Sequence, residues 1–230
     1  MMKRVLLTFA LLAALCGNAW AEEASPIADN EGFVNSYDVT YETARGASTG
    51  DEKIDGNIMA GQEFSGGLYN IRRAFLCFAI PSMSSVSSAV LHLDGLVNGS
   101  TTDFDLYVVS STYDTPLDTG DFDLCGIDSY NDTWNSTSYS NDDNEITFSA
   151  AGLGAVLAAQ GDTLRIALRS SRDISATAPS GLEYCVFSAN PVLTITYSTG
   201  WSHNFSGIEA PANVWGVDKA EVANVWGVGR

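Results

Sequence analysis

From Arg73 to Ile80 the chain reads Arg-Ala-Phe-Leu-Cys-Phe-Ala-Ile and stops at Pro81. Ala74, Leu76, Phe78 and Ile80 occupy alternate positions, so an extended backbone places all four on one face, a period of two that a helix does not reproduce. The same period returns in Ala89 to Leu93, Phe104 to Val109, Leu164 to Leu168 and Val192 to Tyr197, and more briefly in Glu145 to Phe148 and Tyr184 to Phe187. Turn-forming residues separate these runs roughly every ten positions, the rhythm of an all-β sandwich or barrel. The sequence therefore predicts a β-sandwich with Leu76, Phe78, Leu91, Leu93, Ile166, Leu193 and Ile195 in one core. Ala150 to Gln160, rich in Ala and Leu with Val156 as its one β-branched residue, reads as a short helix or turn.

Residues 1–21 read as a secretory signal peptide: basic Lys3 and Arg4, an apolar run from Val5 to Leu15, then Ala19-Trp20-Ala21 as an A-x-A cleavage site. The run is shorter than the ~18 to 20 residues a spanning helix needs, and no later stretch reaches that length, so no transmembrane segment is expected in the mature chain. Leu15 before Cys16 argues against lipid attachment. Residues 22–200 form the expected sandwich domain, and residues 201–230 a tail outside it.

With 45% hydrophobic and 17% charged residues, a disordered chain is excluded. The formal charge is −17, becoming −19 when Lys3 and Arg4 leave with the signal, and no Lys or Arg lies between Arg73 and Arg165. A nucleic-acid partner needs the opposite sign. The stretch from Asp103 to Glu145 is acidic and studded with Asn, Ser and Tyr, and reads as mostly solvated loop. Within it Asp118, Asp121, Asp123 and Asp128 would supply hard oxygen ligands to a structural calcium, although the spacing is not that of an EF-hand.

Cys77, Cys125 and Cys185 remain after cleavage, and an exported protein meets an oxidising compartment, so one disulfide and one odd thiol are expected, with three pairings open. Cys77 lies in a patterned strand, whereas Cys125 and Cys185 fall near loops and are the better placed pair. Gly46-Ala47-Ser48-Thr49-Gly50 matches the G-x-S-x-G pattern, but a nucleophile elbow needs a strand turning into a helix, and Asp51-Glu52-Lys53 follows with no apolar helix face. With His92 and His203 as the available imidazoles and no partner set in view, no catalytic activity is expected.

Tyr130, Trp134 and Tyr139 stand in polar loop context and are the aromatic candidates for stacking on sugar rings. The tail carries Asn-Val-Trp-Gly-Val twice, at 213–217 and 224–228, which makes Trp215 and Trp226 candidates for docking on a partner or on a second copy.

The run Tyr69-Asn70-Ile71-Arg72-Arg73-Ala74-Phe75-Leu76-Cys77-Phe78-Ala79-Ile80-Pro81, followed by Val86-Ser87-Ser88-Ala89-Val90-Leu91-His92-Leu93, resembles the signature of the DNRLRE domain family. Thr133-Trp134-Asn135 is similar to the Thr-Trp-Asn that follows that family's acidic loop, and Val186 to Tyr197 resembles its closing strand. The likeness spans residues 58–198; the family's Asp/Asn-rich opening has no clear match between Phe33 and Gly56. It implies a jelly-roll sandwich of the carbohydrate-binding-module type, non-catalytic, secreted and extracellular or held at a bacterial cell surface, with a polysaccharide or a surface protein as partner. The second reading is a structural or assembly protein that docks through its C-terminal repeat.

Overall fold

The computed structural model describes residues 31–199, together with the backbone of short strands at Ala19–Ala24, Asn213–Val214 and Val217–Asp218. The signal segment up to residue 18 and both tail tryptophans, Trp215 and Trp226, lie outside the described residues. The chain divides into two compact units, residues 1–199 and 200–230.

The first unit is mostly β and antiparallel, a sheet curled into a half-barrel. Its two longest strands are its spines: β5 (Leu68–Ala79) and β6 (Ser85–Asn98). Along β5, β4 (Ile58–Ser65) pairs with Leu68 to Arg72 and β11 (Thr163–Ser170) with Ala74 to Ala79. β2 (Gly32–Asp38) pairs with Tyr69 to Phe75 and so must take the opposite edge. Along β6, β13 (Val192–Ser198) and β12 (Leu182–Phe187) follow one another, and β10 (Asp143–Thr147) pairs with Val90 to Asp94. β12 also pairs with β4, which joins the two spines. β7 (Asp105–Ser111) extends the sheet beyond β11, with β8 (Cys125–Ser129) and β9 (Trp134–Asn135) beside it, and β3 (Glu52–Asp55) flanks β2. At the other end β1 (Ala19–Ala24) pairs with β13; Ala21, where cleavage is expected, falls inside it.

The period-two faces meet as their pattern requires. Ala74, Leu76 and Phe78 of β5 join Leu91 and Leu93 of β6, Ile166 of β11, and Leu193 and Ile195 of β13 in one buried cluster. A second cluster lies against the alternate positions of β5: Ile71, Phe75 and Cys77 pack with Val34, Val109 and Ala167, covered by Tyr41 and Ala44 of helix α1 (Tyr41–Arg45) and by Tyr113, Leu117 and Phe122. Helix α2 (Ala150–Ala158), capped by Ser149, contributes Val156 to the first cluster.

Two expectations are corrected here. The acidic stretch from Asp103 to Glu145 is not mainly solvated loop: it holds β7 to β10, and Phe104, Leu106, Val108, Tyr113, Leu117, Phe122 and Trp134 are buried. Its carboxylates dominate the charge count while its apolar residues, spaced along it, anchor each turn. The expected disulfide is also absent, for all three cysteines are free. Cys185 belongs to the first cluster and Cys125 packs against the second, so the two thiols sit in different layers.

Candidate functional site

Four of the seven Lys and Arg among the described residues, Arg45, Arg73, Arg169 and Arg172, are gathered where the sequence gives no hint of it. Ser170 caps the short helix α3 (Ser171–Ile174), accepting a hydrogen bond from the Arg172 backbone N–H, and this turn carries Asp173 into the interior. Arg73, 2% exposed, grips Asp173 with two bonds, Nε to Oδ2 at 2.9 Å and Nη2 to Oδ1 at 3.0 Å. Arg169 adds a bond to Oδ2 at 2.8 Å, and Arg45 approaches Oδ1 at 3.5 Å. The Arg73 guanidinium also donates to the carbonyls of Phe122 and Arg45 and lies 4.1 Å over the Phe122 ring. Burial alone would raise the Asp173 pKa, but the charges and hydrogen bonds of Arg73 and Arg169 outweigh it and hold the carboxyl below the ordinary carboxylate range. Beside this hub Glu183, fully buried, takes bonds from Gln62 at 2.8 Å and an ion pair from Arg172 at 2.7 Å, and the Tyr41 hydroxyl donates to Gln62. Burial, with Asp173 nearby, pushes the Tyr41 pKa up to about 12. Asp173 and Glu183 are themselves buried and both networks tie loops to the sheet, so they are scaffold.

Of the four aspartates singled out from the sequence for calcium, Asp118 and Asp121 bond to the local backbone. Asp118 accepts from the Gly120 N–H and caps the 3-10 turn Thr119–Asp123, while the buried Asp121 accepts from the N–H groups of Asp118 and Asp114. Burial raises the Asp121 carboxyl against those bonds. Asp123 lies 3.6 Å from Arg73, and Asp128 is exposed on β8. Among the described residues, the three-donor group close enough to share a cation is elsewhere: His92, Asp143 and Glu145, exposed or half-buried on the β6–β10 pair.

The aromatic candidates are packed. Trp134 is 8% exposed and meets Phe187 edge-on, Tyr139 lies against the same ring and donates its hydroxyl to the Val186 carbonyl, and Tyr130 packs on the first cluster. Ser48 lies in the bend between α1 and β3, with a strand and no helix after it.

An open aromatic and polar surface is found instead where β2, β5 and β4 run side by side. The pairings Tyr37↔Asn70 and Glu63↔Asn70 set Tyr37, Asn70 and Glu63 in one row across three strands. One step along, Asn35 stands opposite Arg72, which stands opposite Gly61 and, beyond it, Tyr184 of β12. Tyr37, Glu63, Ser65, Leu68 and Asn70 line a shallow cleft of about 260 Å³. Tyr37 is 45% exposed. Arg72 donates to Glu63 at 2.8 Å and lies 4.7 Å above the Tyr184 ring. A Cβ at Gly99 would sit 2.6 Å from that ring and would push it aside.

Three buried polar atoms on this surface have no hydrogen-bond partner: Asn35 Oδ1, Asn70 Oδ1 and Arg72 Nη1. Each such atom costs about 1 to 3 kcal/mol when left unmade; Glu183 Oε1, in the network beside Asp173, is another. By contrast, the similar-sized hollow beside Cys125 has its polar groups bonded locally, as in Ser111 Oγ donating to the Leu124 carbonyl. Sequence reasoning missed the cleft because its residues come from segments without a strong period; the signal available was the Arg72-Arg73 pair, whose neighbours on a strand must face opposite sides. A scan of protein-family models finds none that matches the chain, and a search of curated proteins finds no significant relative, so what the site binds is argued from its own chemistry.

Proposed function

We propose that the protein is a secreted, non-catalytic module of jelly-roll type, as the DNRLRE resemblance implies, and that it binds extracellular or cell-surface polysaccharide at the Tyr37–Asn70–Glu63 cleft. The observation that carries this reading is an open cleft in which the half-exposed Tyr37 ring stands with the polar side chains of Glu63, Ser65 and Asn70. A sugar ring offers C–H groups to an aromatic face and hydroxyls to polar side chains, and this surface offers both. The open, shallow form of the cleft suits a ring that remains part of a chain.

The test uses the chain from Glu22 to Arg230 in pull-downs and affinity electrophoresis against a panel of bacterial, plant and fungal polysaccharides. Wild-type protein should be retarded by at least one, and Tyr37→Ala, with its dichroism unchanged, should lose about tenfold in affinity, which corresponds to 1.4 kcal/mol. Retention by none of the panel, or equal retention of Tyr37→Ala, would overturn the reading.

A further inference from the structure

The geometry points to a second site, independent of the cleft: a divalent transition-metal centre of the zinc class, held by His92, Asp143 and Glu145 on the solvent face of the β6–β10 pair. Alternation along the two strands puts these side chains there. Leu91 and Leu93 of β6 and Ile146 of β10 turn into the first cluster, so the residues next to them turn to solvent. Register then sets Glu145 directly opposite His92, and Asp143 opposite Asp94, in two adjacent rows. The ladder is fixed from behind, because Asn144, buried between the two carboxylate positions, donates from Nδ2 to the Leu93 carbonyl. One ring nitrogen of His92 and one oxygen each of Asp143 and Glu145 lie within 4.8 Å of one another, and His92 Nδ1 is 2.8 Å from Asp143 Oδ2. Ligands on a tetrahedral zinc, with bonds of ~2.0 to 2.1 Å, stand ~3.3 Å apart, so side-chain rotations of about 1 Å close the set on a cation while both strands stay in place. An ion reaches it from solvent, since His92 is half-buried and both carboxylates are exposed.

A separate observation, the charge pattern, also calls for a cation. Like charges directly opposite on paired strands destabilise a sheet, and the exposed Asp94 and Asp143 are such a pair, with Glu145 one row away. Six of the seven Lys and Arg among the described residues are within ion-pair distance of other carboxylates: Arg45, Arg73 and Arg169 on Asp173, Arg172 on Glu183, Arg72 on Glu63 and Lys53 on Asp55. No Lys or Arg among those residues pairs with Asp94, Asp143 or Glu145; the partner there is the imidazole of His92. A bound cation turns this repulsion into attraction and ties β10 to β6. The donor set decides which cation. Calcium takes six to eight oxygens and magnesium gives up its water reluctantly, whereas one imidazole nitrogen with two carboxylate oxygens suits zinc and its neighbours in the first row. With Nδ1 on the metal the ring proton resides on Nε2. Three protein ligands leave a further position for water or for an outside ligand.

The experiment titrates the tag-free Glu22–Arg230 chain, stripped with a chelator, with zinc, calcium and magnesium chlorides in a calorimeter. Zinc should bind, and calcium and magnesium should bind at least about tenfold more weakly, as the nitrogen ligand requires. His92→Ala and Glu145→Gln should each lose at least about tenfold in zinc affinity, one of three protein ligands being removed, while His203→Ala, which changes the chain's other histidine, should bind as wild type does. Zinc should raise the melting temperature of wild type and leave that of His92→Ala unchanged, because an ion bound to the native state alone stabilises it by mass action. Absence of zinc binding by the wild type overturns the inference, as does zinc binding that survives both His92→Ala and Glu145→Gln, or calcium bound more tightly than zinc. If a variant does not fold, the imidazole proton resonances decide: zinc should shift those of His92, identified as the set that persists in His203→Ala, and unshifted resonances overturn the site. Either outcome leaves the glycan reading of the cleft where it stands.

Discussion

Asp173 shows how much one residue can hold in an acidic chain. It is 1% exposed and meets three guanidinium groups, whereas Asp55, 2.6 Å from the half-buried Lys53, is exposed. An exposed pair contributes about 0 to 1 kcal/mol, because water and salt screen it and two side chains lose freedom to form it. Removing one partner of a buried pair costs about 3 to 5 kcal/mol, because the other charge stays desolvated. Asp173→Asn is therefore expected to lower the unfolding free energy from urea titration by about 3 to 5 kcal/mol, and Lys53→Ala to leave it nearly unchanged. The sign with pH follows from the depressed carboxyl: its contribution is complete above the unfolded value of ~3.9 and is lost as pH falls through the lower folded value. Wild type should lose more stability than Asp173→Asn on acidification below about pH 4. Equal urea midpoints for wild type and Asp173→Asn would show that the three arginines are held by something else.

Among the elements, β4 and the turn that follows it carry two kinds of glycine whose difference is testable. Gly61 has φ +133°, and a Cβ there would lie 2.2 Å from the Glu183 carbonyl oxygen and 2.6 Å from the Tyr184 Cα, backbone atoms that cannot rotate away. This close approach lets β12 pair with β4 and carry Tyr184 toward Arg72. Gly66, in the two-glycine turn between β4 and β5, has φ +59° and open space around its Cβ position. Left-handed conformations are accessible to Asn at modest cost. Gly61→Ala should cost at least the ~1 to 3 kcal/mol of a forced backbone conformation and should weaken glycan binding as well, while Gly66→Asn should melt within a few degrees of wild type. A stable Gly61→Ala protein with intact binding would mean that β12 does not need this approach.

At the scale of the molecule, the boundary between residues 199 and 200 divides the chain into parts that answer to different experiments. The described part of the tail is an antiparallel pair of two-residue strands, β14 (Asn213–Val214) with β15 (Val217–Asp218), which hold three of the five residues of the first Asn-Val-Trp-Gly-Val copy, Asn213, Val214 and Val217. Each of its pairs is internal to the second unit. Removal of residues 201–230 should accordingly leave the melting temperature of the first unit within about 2 °C, a shift smaller than the ~2 to 4 °C that 1 kcal/mol produces in a domain of this size. A truncated chain that fails to fold would make the tail part of the core.

What the sequence determined by itself was the set of elements whose two faces differ. β5, β6, β11 and β13 are legible because one side of each must leave water, and a period of two writes that requirement directly into residue order. Their buried cluster follows the same logic, as Leu76, Leu91, Ile166 and Ile195 do. Only the tertiary structure decided where the polar residues go. Phe122 and Tyr113 lie under a loop that charge alone would place in solvent, Trp134 is turned into the core, and Cys125 and Cys185 are parted by a layer of sheet. The cleft unites Tyr37 with Glu63 and Asn70 through strand register, and Asp173 reaches Arg73 across a hundred residues of chain. Apolar burial is nearly additive along a strand and so is readable locally, whereas a hydrogen bond or an ion pair depends on the position of a particular distant atom, which no local pattern encodes.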